Sequence, residues 1–178
     1  MSDRYLIIGL GRFGAALAES LTERGAEVIA VDTNMAEVEA VKRKVAYAIE
    51  LDATDPAALQ SIDPLRCKAV IVAIGENFEA TVLTLAALRE VGVKEIVARA
   101  RTAREARILQ AVGATEIIEL EAEMGRTYGH KLAVKAAEAA LPGKAPAPRS
   151  MLPQSGPSSL APQSVPPQAS GPHSGKPE

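Results

Sequence analysis

Residues 6–21 read LIIGLGRFGAALAESL, and the fold turns on how this stretch is parsed. Leu6, Ile7 and Ile8 end an apolar strand that stops at Gly9. From Arg12 an alanine-rich segment puts Phe13, Leu17 and Leu21 on one helical face, at i, i+4 and i+8. The turn between them, Gly9-Leu10-Gly11-Arg12-Phe13-Gly14, has the form GxGxxG. In a strand–turn–helix unit its glycines have separate duties. Gly9 permits the tight exit from the strand, Gly11 lets the backbone approach a pyrophosphate, and Gly14 lets helix and strand pack closely. The first N–H groups of the helix, at the positive end of its dipole, then face the phosphate.

Alone, GxGxxG is a weak signal. Here the next strand, EVIAVD, ends in Asp32, 18 residues past Gly14. A carboxylate at that place accepts hydrogen bonds from both ribose hydroxyls and repels a 2′-phosphate. Further along, VAYAIE, AVIVAIG, EIVARA and EIIEL read as strands three to six, after RYLII and EVIAVD. Helices are expected from about 12 to 24, after Asn34, from Pro56, from about 77 to 91, from Thr102 to Gly113, and from about 123 to 141. Asn34 with Glu37, and Thr102 with Glu105, have the spacing of a capping box. Gly25 suits a C′ position and Pro56 a first helical position. Strands alternating with helices predict a parallel sheet covered on both faces. The expected fold class is therefore α/β: a Rossmann-like, doubly wound, parallel six-stranded sheet of order 3-2-1-4-5-6.

The 178 residues carry a net charge of −2 and one cysteine, Cys67. Near-neutrality gives no general reason to expect nucleic acid. One cysteine leaves no intrachain disulfide and no cysteine-based zinc cluster, which suits a reducing cytosol. MSDRYLIIGLG lacks signal-peptide anatomy, and no stretch approaches the roughly 20 apolar residues of a membrane helix. A soluble, cytoplasmic protein is expected. After Leu141 the composition changes: ten of the twelve prolines fall in 142–178, among Ser, Gly, Gln and Ala. Such a segment buries too little apolar surface to offset its ordering entropy. The expected organisation is a folded domain over 1–141 and a Pro/Ser-rich disordered tail over 142–178. The tail holds three basic residues and one acid, which leaves 17 basic against 21 acidic residues in 1–141.

Residues able to carry chemistry gather at strand ends. Arg12, inside the glycine loop, reads either as a reader of terminal phosphates or as a solvated first-turn arginine. Asp52, in LDATD at the end of the third strand, reads as a ligand for the base or as the cap of the turn before Pro56; the ligand reading is preferred. AIGEN, at the end of the fourth strand, lies across the crevice from the glycine loop, and Gly75 reads either as keeping room for the nucleotide or as serving the turn alone. Phe13, Ala53, Ala73 and Ile74 complete the expected cofactor-binding set. Arg99, Arg101, Arg104 and Arg107 form a basic cluster, and Glu119, Glu121 and Glu123 an acidic one. These are either solvated faces, or a phosphate contact and a divalent-cation site respectively.

Hydride or proton chemistry wants a positioned acid or base, usually histidine. The two histidines are His130, on the last helix, and His173, in the tail. Cys67 reads as a small core filler. No catalytic residue is assigned, and a non-enzymatic sensor is expected. The segment FEATVLTLAALREV is apolar on two faces, Phe78, Val82, Leu85 and Leu88 on one and Leu83, Ala87 and Val91 on the other. A second apolar face suggests burial against another subunit, unless the faces are merely alanine-rich.

GLGRFG, VIAVD, LDATD, VIVAIGEN, VGATEII and EMG occur in this order and spacing in a known family. Residues 4–141 resemble the N-terminal nucleotide-binding lobe of Trk/Ktr-type potassium-uptake regulatory subunits, the RCK or KTN domains. The resemblance implies a Rossmann lobe that dimerises, commonly into an eight-lobe ring, beneath a membrane potassium channel or transporter. It also implies ATP, ADP or NAD(H) in the crevice, changing the ring's shape. By matching position, Gly9, Gly11 and Gly14 would hold the phosphates and Arg12 would meet the terminal ones. Asp32 would bind ribose, and Asp52 would lie by the adenine. Arg99 sits where members carry a basic residue near the phosphates. Glu121 sits where some carry an acid that helps to bind a divalent cation, magnesium or calcium, at the dimer interface. Full-length members continue into a second small lobe, where this sequence has its Pro/Ser-rich stretch. The function expected is a cytosolic nucleotide-binding regulatory subunit, peripheral to the inner face of the cell membrane through the channel or transporter it gates. The alternative is a small NAD-dependent oxidoreductase or an orphan cofactor-binding domain.

Overall fold

The computed structural model describes residues 3–140; the expected tail and the end of the last helix at Leu141 lie outside the described residues. Among these, six strands form one sheet: β1 (Arg4–Ile8), β2 (Glu27–Asp32), β3 (Tyr47–Glu50), β4 (Ala69–Val72), β5 (Ile96–Arg99) and β6 (Glu116–Ile118). Their order is β3-β2-β1-β4-β5-β6, and every neighbouring pair is parallel, as expected from the alternation. The helices are α1 (Arg12–Glu23), α2 (Met35–Val41), α3 (Pro56–Ser61), α4 (Phe78–Val91), α5 (Ala103–Val112) and α6 (Leu120–Ala140).

The central strand shows why the apolar runs are continuous. Leu6 and Ile8 point to one face with Ile29, Val31, Val70, Val72, Ile96 and Ala98, where Leu59 of α3, Leu85 and Leu88 of α4 and Leu109 of α5 cover them. Ile7 points the other way with Val28, Ala30 and Ile71, beneath Ala18 of α1 and Val38 and Val41 of α2. With both faces covered, neither parity of strand position can be polar. Each fully buried aliphatic side chain contributes roughly 1.5–3 kcal/mol relative to exposure.

Local signals hold with small changes. Gly25 takes φ +86° just past the C-cap of α1, and Pro56 opens α3 behind an Asp55 cap. Asn34 caps α2 by accepting from the Ala36 N–H, but its own N–H donates to Asp32 rather than to Glu37. Thr102 accepts from the Glu105 N–H, while Glu105 returns to the Arg101 N–H, one residue before the cap. The last four strands are shorter than their apolar runs: β4 and β6 leave the sheet early at its carboxyl edge, β3 joins it two residues late, and β5 loses one residue at each end. α6 begins at Leu120, three residues earlier than expected, directly after β6.

α4 corrects one expectation. The face of Phe78, Val82, Leu85 and Leu88 and part of the second face, Ala87 and Val91, are used inside the chain, since the helix lies between the sheet, α3 and α5. Leu85, Ala87 and Leu88 are buried in the chain's own core, and Leu83 is the large apolar residue of α4 left exposed. Leu85 is therefore not a contact for another subunit. α6 differs: every residue from Glu121 to Ala139 is exposed, and Met124, Tyr128 and Leu132 form a stripe at i, i+4 and i+8. No helix among the described residues is long and apolar enough to cross a membrane.

Candidate functional site

At the carboxyl edge of the sheet, β1 and β4 lead their loops in opposite directions, and the gap between the loops is a crevice of about 1060 Å³. That position is where ligands bind in open α/β sheets. Its volume lies just above the usual small-molecule range of about 300–1,000 Å³.

The glycine loop builds one wall. Gly9 has φ +93°, and a Cβ there would stand 2.9 Å from the Ile74 nitrogen. A Cβ on Gly14 would stand 1.8 Å from the Gly9 carbonyl oxygen. Both glycines are demanded by the chain's own packing. Gly11 is not: its φ is −58°, and an added Cβ would meet nothing within 4 Å. It lines the crevice at the first turn of α1, where the helix N–H groups are free. The space beside it is open to the crevice, so the backbone there is accessible to a ligand.

Asp32 closes the next side. Its Oδ2 accepts from the Leu10 N–H at 2.6 Å and its Oδ1 from the Asn34 N–H at 2.8 Å. Two backbone donors fix the carboxylate's plane, and each oxygen keeps acceptor capacity. The same bonds tie the glycine loop to β2. Asp52 is held as an Asx turn, its Oδ1 accepting from the Thr54 hydroxyl at 2.7 Å and the Thr54 N–H at 2.9 Å. The hydroxyl first and then the N–H hold its carboxyl below the usual value. Asp52 therefore caps the turn, and it also lines the crevice with Ala53 beside it.

From β4, Ala73, Ile74 and Gly75 line the opposite wall, the Ala73 N–H donating to the Ile8 carbonyl at 2.7 Å. Arg99, at the end of β5, reaches over Gly75, and a Cβ on that glycine would come within 2.6 Å of its Nη1. Its guanidinium carbon lies 5.9 Å from the centroid of the Phe13 ring, and its Nη2 donates to Glu121 Oε1 at 2.6 Å. The Glu121 carboxyl is held below its ordinary value, first by its own backbone N–H and then by Arg99. Arg12 is exposed at the rim and makes no hydrogen bond or ion pair among the described residues.

The structure brings together every residue of the expected cofactor set except Gly14, which lies behind the loop, and adds Glu121. It does not bring together the acidic cluster: no three His, Cys, Asp or Glu side chains converge among the described residues, and of the three glutamates Glu121 alone lines the crevice. Arg104 and Arg107 are exposed away from the crevice. His130 is exposed on α6. Cys67 is half-buried before β4, at the opposite edge of the sheet, and burial pushes its thiol up to about 11. Thr84, which sequence reasoning missed, also lines the crevice; it is fully buried and its hydroxyl has no partner among the described residues. The signal was there in two threonines, Thr81 and Thr84, inside an otherwise apolar helix.

The TrkA-N domain family matches residues 5–120. Two proteins of Bacillus subtilis (strain 168) are similar in sequence. Ktr system potassium uptake protein C is 34% identical over 132 residues, covering 74% of this chain and 60% of that protein. Ktr system potassium uptake protein A is 36% identical over 124 residues, covering 70% of this chain and 56% of that protein. The chain thus spans less than two thirds of the length of these relatives. Among solved structures, the NAD(P)-binding domain of an exopolyphosphatase-related protein from Archaeoglobus fulgidus is similar, with a TM-score of 0.67 at 25% identity, over 73% of this chain and 97% of that one. The GsuK channel bound to NAD shares the fold, with a TM-score of 0.59 at 18% identity, over 71% of this chain and 23% of that one. A six-stranded parallel sheet with a glycine-loop crevice, a family match across that whole sheet and likeness to two Ktr proteins lead to one conclusion: the chain belongs to the TrkA-N family.

Proposed function

We propose that this chain is a nucleotide-binding regulatory module of a potassium transport system. It takes ATP, ADP or NAD(H) in the crevice and passes the ligand's identity to a membrane potassium channel or transporter, without chemical turnover. One observation carries the reading: the open space at Gly11, beside the doubly held carboxylate of Asp32. A glycine that no contact of the chain requires stands next to an oriented acceptor of ribose hydroxyls.

In this reading Gly11 and the start of α1 meet the phosphates, Asp32 the ribose, and Asp52 with Ala53 the base. Arg12 and Arg99 meet phosphate charge, and Glu121 is the acid through which a magnesium or calcium ion would join the site. Kinship with Ktr uptake proteins supports a membrane potassium-transporting partner and a place at the inner face of the membrane. The exposed stripe of α6 supports a homodimer, and through it a larger ring, since an aromatic flanked by aliphatics suits an interface centre.

Calorimetric titration with ATP, ADP and NADH tests this. Asp32→Ala should weaken all three together, by about 1–3 kcal/mol for a charged hydrogen bond. Arg12→Ala should weaken ATP more than ADP, because the rim arginine would meet the terminal phosphate that ADP lacks. Wild-type protein that binds none of the three sinks the reading. Steady consumption of NADH would favour a small NAD-dependent oxidoreductase instead.

A further inference from the structure

The Arg99 guanidinium is enclosed by Gly75, the Phe13 ring and Glu121. Its Nε–H is buried and has no partner among the described residues. An arginine fork is best matched by a planar or multivalent anion that takes Nε and Nη together. Here the carboxylate it meets accepts one Nη bond only. That acceptor is also loosely held, since the Glu121 side chain is 60% exposed against 17% for Arg99. An ion pair with one partner in water is weak and easily exchanged. Glu121 belongs to the first turn of α6. Among the described residues, this is the one salt bridge and the one side-chain hydrogen bond joining α6 to the rest of the chain.

We propose that Arg99 is an exchange point between the crevice and α6. Without an anion in the crevice, its guanidinium holds the start of α6 through Glu121. A phosphate-bearing ligand draws the guanidinium away, so phosphate occupancy sets how firmly α6 is tethered. The inference rests on the nucleotide reading above and names a regulation of that same site. A phosphate supplies what the carboxylate does not, an acceptor for the orphaned Nε–H. The released helix carries the exposed stripe of Met124, Tyr128 and Leu132, so the change reaches whatever α6 touches.

Competition makes an unusual sign. Removing the Glu121 charge should tighten ligand binding, whereas loss of a supporting or structural group would weaken it. ADP and inorganic pyrophosphate are titrated calorimetrically, with a chelator present, into wild type and Glu121→Gln. The variant should bind both roughly two- to fivefold more tightly, as for loss of an exposed ion pair. Amide hydrogen exchange over 119–125 is followed in parallel. ADP should speed exchange there in wild type, while Glu121→Gln should exchange fast with or without ADP. Gly75→Ala, which crowds Arg99 and leaves Glu121 intact, should also speed exchange over 119–125. Equal or weaker ADP binding by Glu121→Gln, or exchange unmoved by ADP in wild type, overturns the proposal while the nucleotide reading stands. Wild-type protein that binds neither ADP nor ATP removes both.

Discussion

A Cβ on Gly14 would lie against backbone, the Gly9 carbonyl, which cannot swing aside as a side-chain tip can; a Cβ on Gly11 would lie in the open crevice. Gly14→Ala should therefore cost stability, about 1–3 kcal/mol or more as for an overpacked core, and lower the thermal midpoint. Gly11→Ala should leave the midpoint in place and lose about tenfold in ADP affinity, ~1.4 kcal/mol, measured by calorimetry. An opposite division would mean the loop is read backwards. The pattern of glycines was plain in the chain's first fifteen residues, and so was Asp32. The Arg99–Glu121 pair was not, because 22 residues separate them and only the pairing of β5 with β6 brings them face to face. Arg12 was ambiguous in sequence, and its exposed, unpaired position is consistent with either reading.

Among the elements, α4 separates amphipathicity from burial. A helix apolar on two faces meets either a second subunit or further helices of its own domain, and pattern alone does not choose. Leu85 is fully buried and Leu83 is 48% exposed. Leu85→Ala should cost about 2–5 kcal/mol, the range for aliphatic truncation in a core, while Leu83→Ala should stay within about 0.5 kcal/mol. Urea unfolding of both variants checks the pair. The turn before β4 gives a second test. Burial raises the Cys67 thiol to about 11, so at neutral pH it stays protonated. Because burial penalises the thiolate, stability is unaffected below the ordinary thiol value and falls as pH rises from there through about 11. Iodoacetamide at pH 7.5 should alkylate it far more slowly in the native protein than in urea; equal rates would show the thiol to be open. Capping residues and helix ends were legible because they are local. Strand lengths were less so, since an apolar run does not mark where a strand leaves the sheet.

At the scale of the molecule, the sheet order followed from alternation and from the switch point that the first glycine loop implies. Nothing in a single chain's pattern shows what covers α6. Its stripe is exposed, Tyr128 by 55% and Leu132 by 62%, so neither side chain contributes to the domain's own core. The protein is expected to be at least a dimer in light scattering at micromolar concentration. Tyr128→Asp with Leu132→Asp should yield monomers whose circular dichroism matches wild type. A wild-type monomer would remove α6 as an interface, and a variant that loses its fold would show that α6 packs on its own domain.

The unequal roles of the three glycines carry a consequence for descent. Gly9 and Gly14 answer to the backbone around them, and in the proposed function Gly11 answers to the nucleotide in the crevice. Copies of this domain that had given up their ligand would drift first at the middle glycine, keeping the outer two and their architecture. Under the proposed function, a TrkA-N sequence with that one position changed is expected to keep its fold and bind ADP weakly, which calorimetry on such a relative checks.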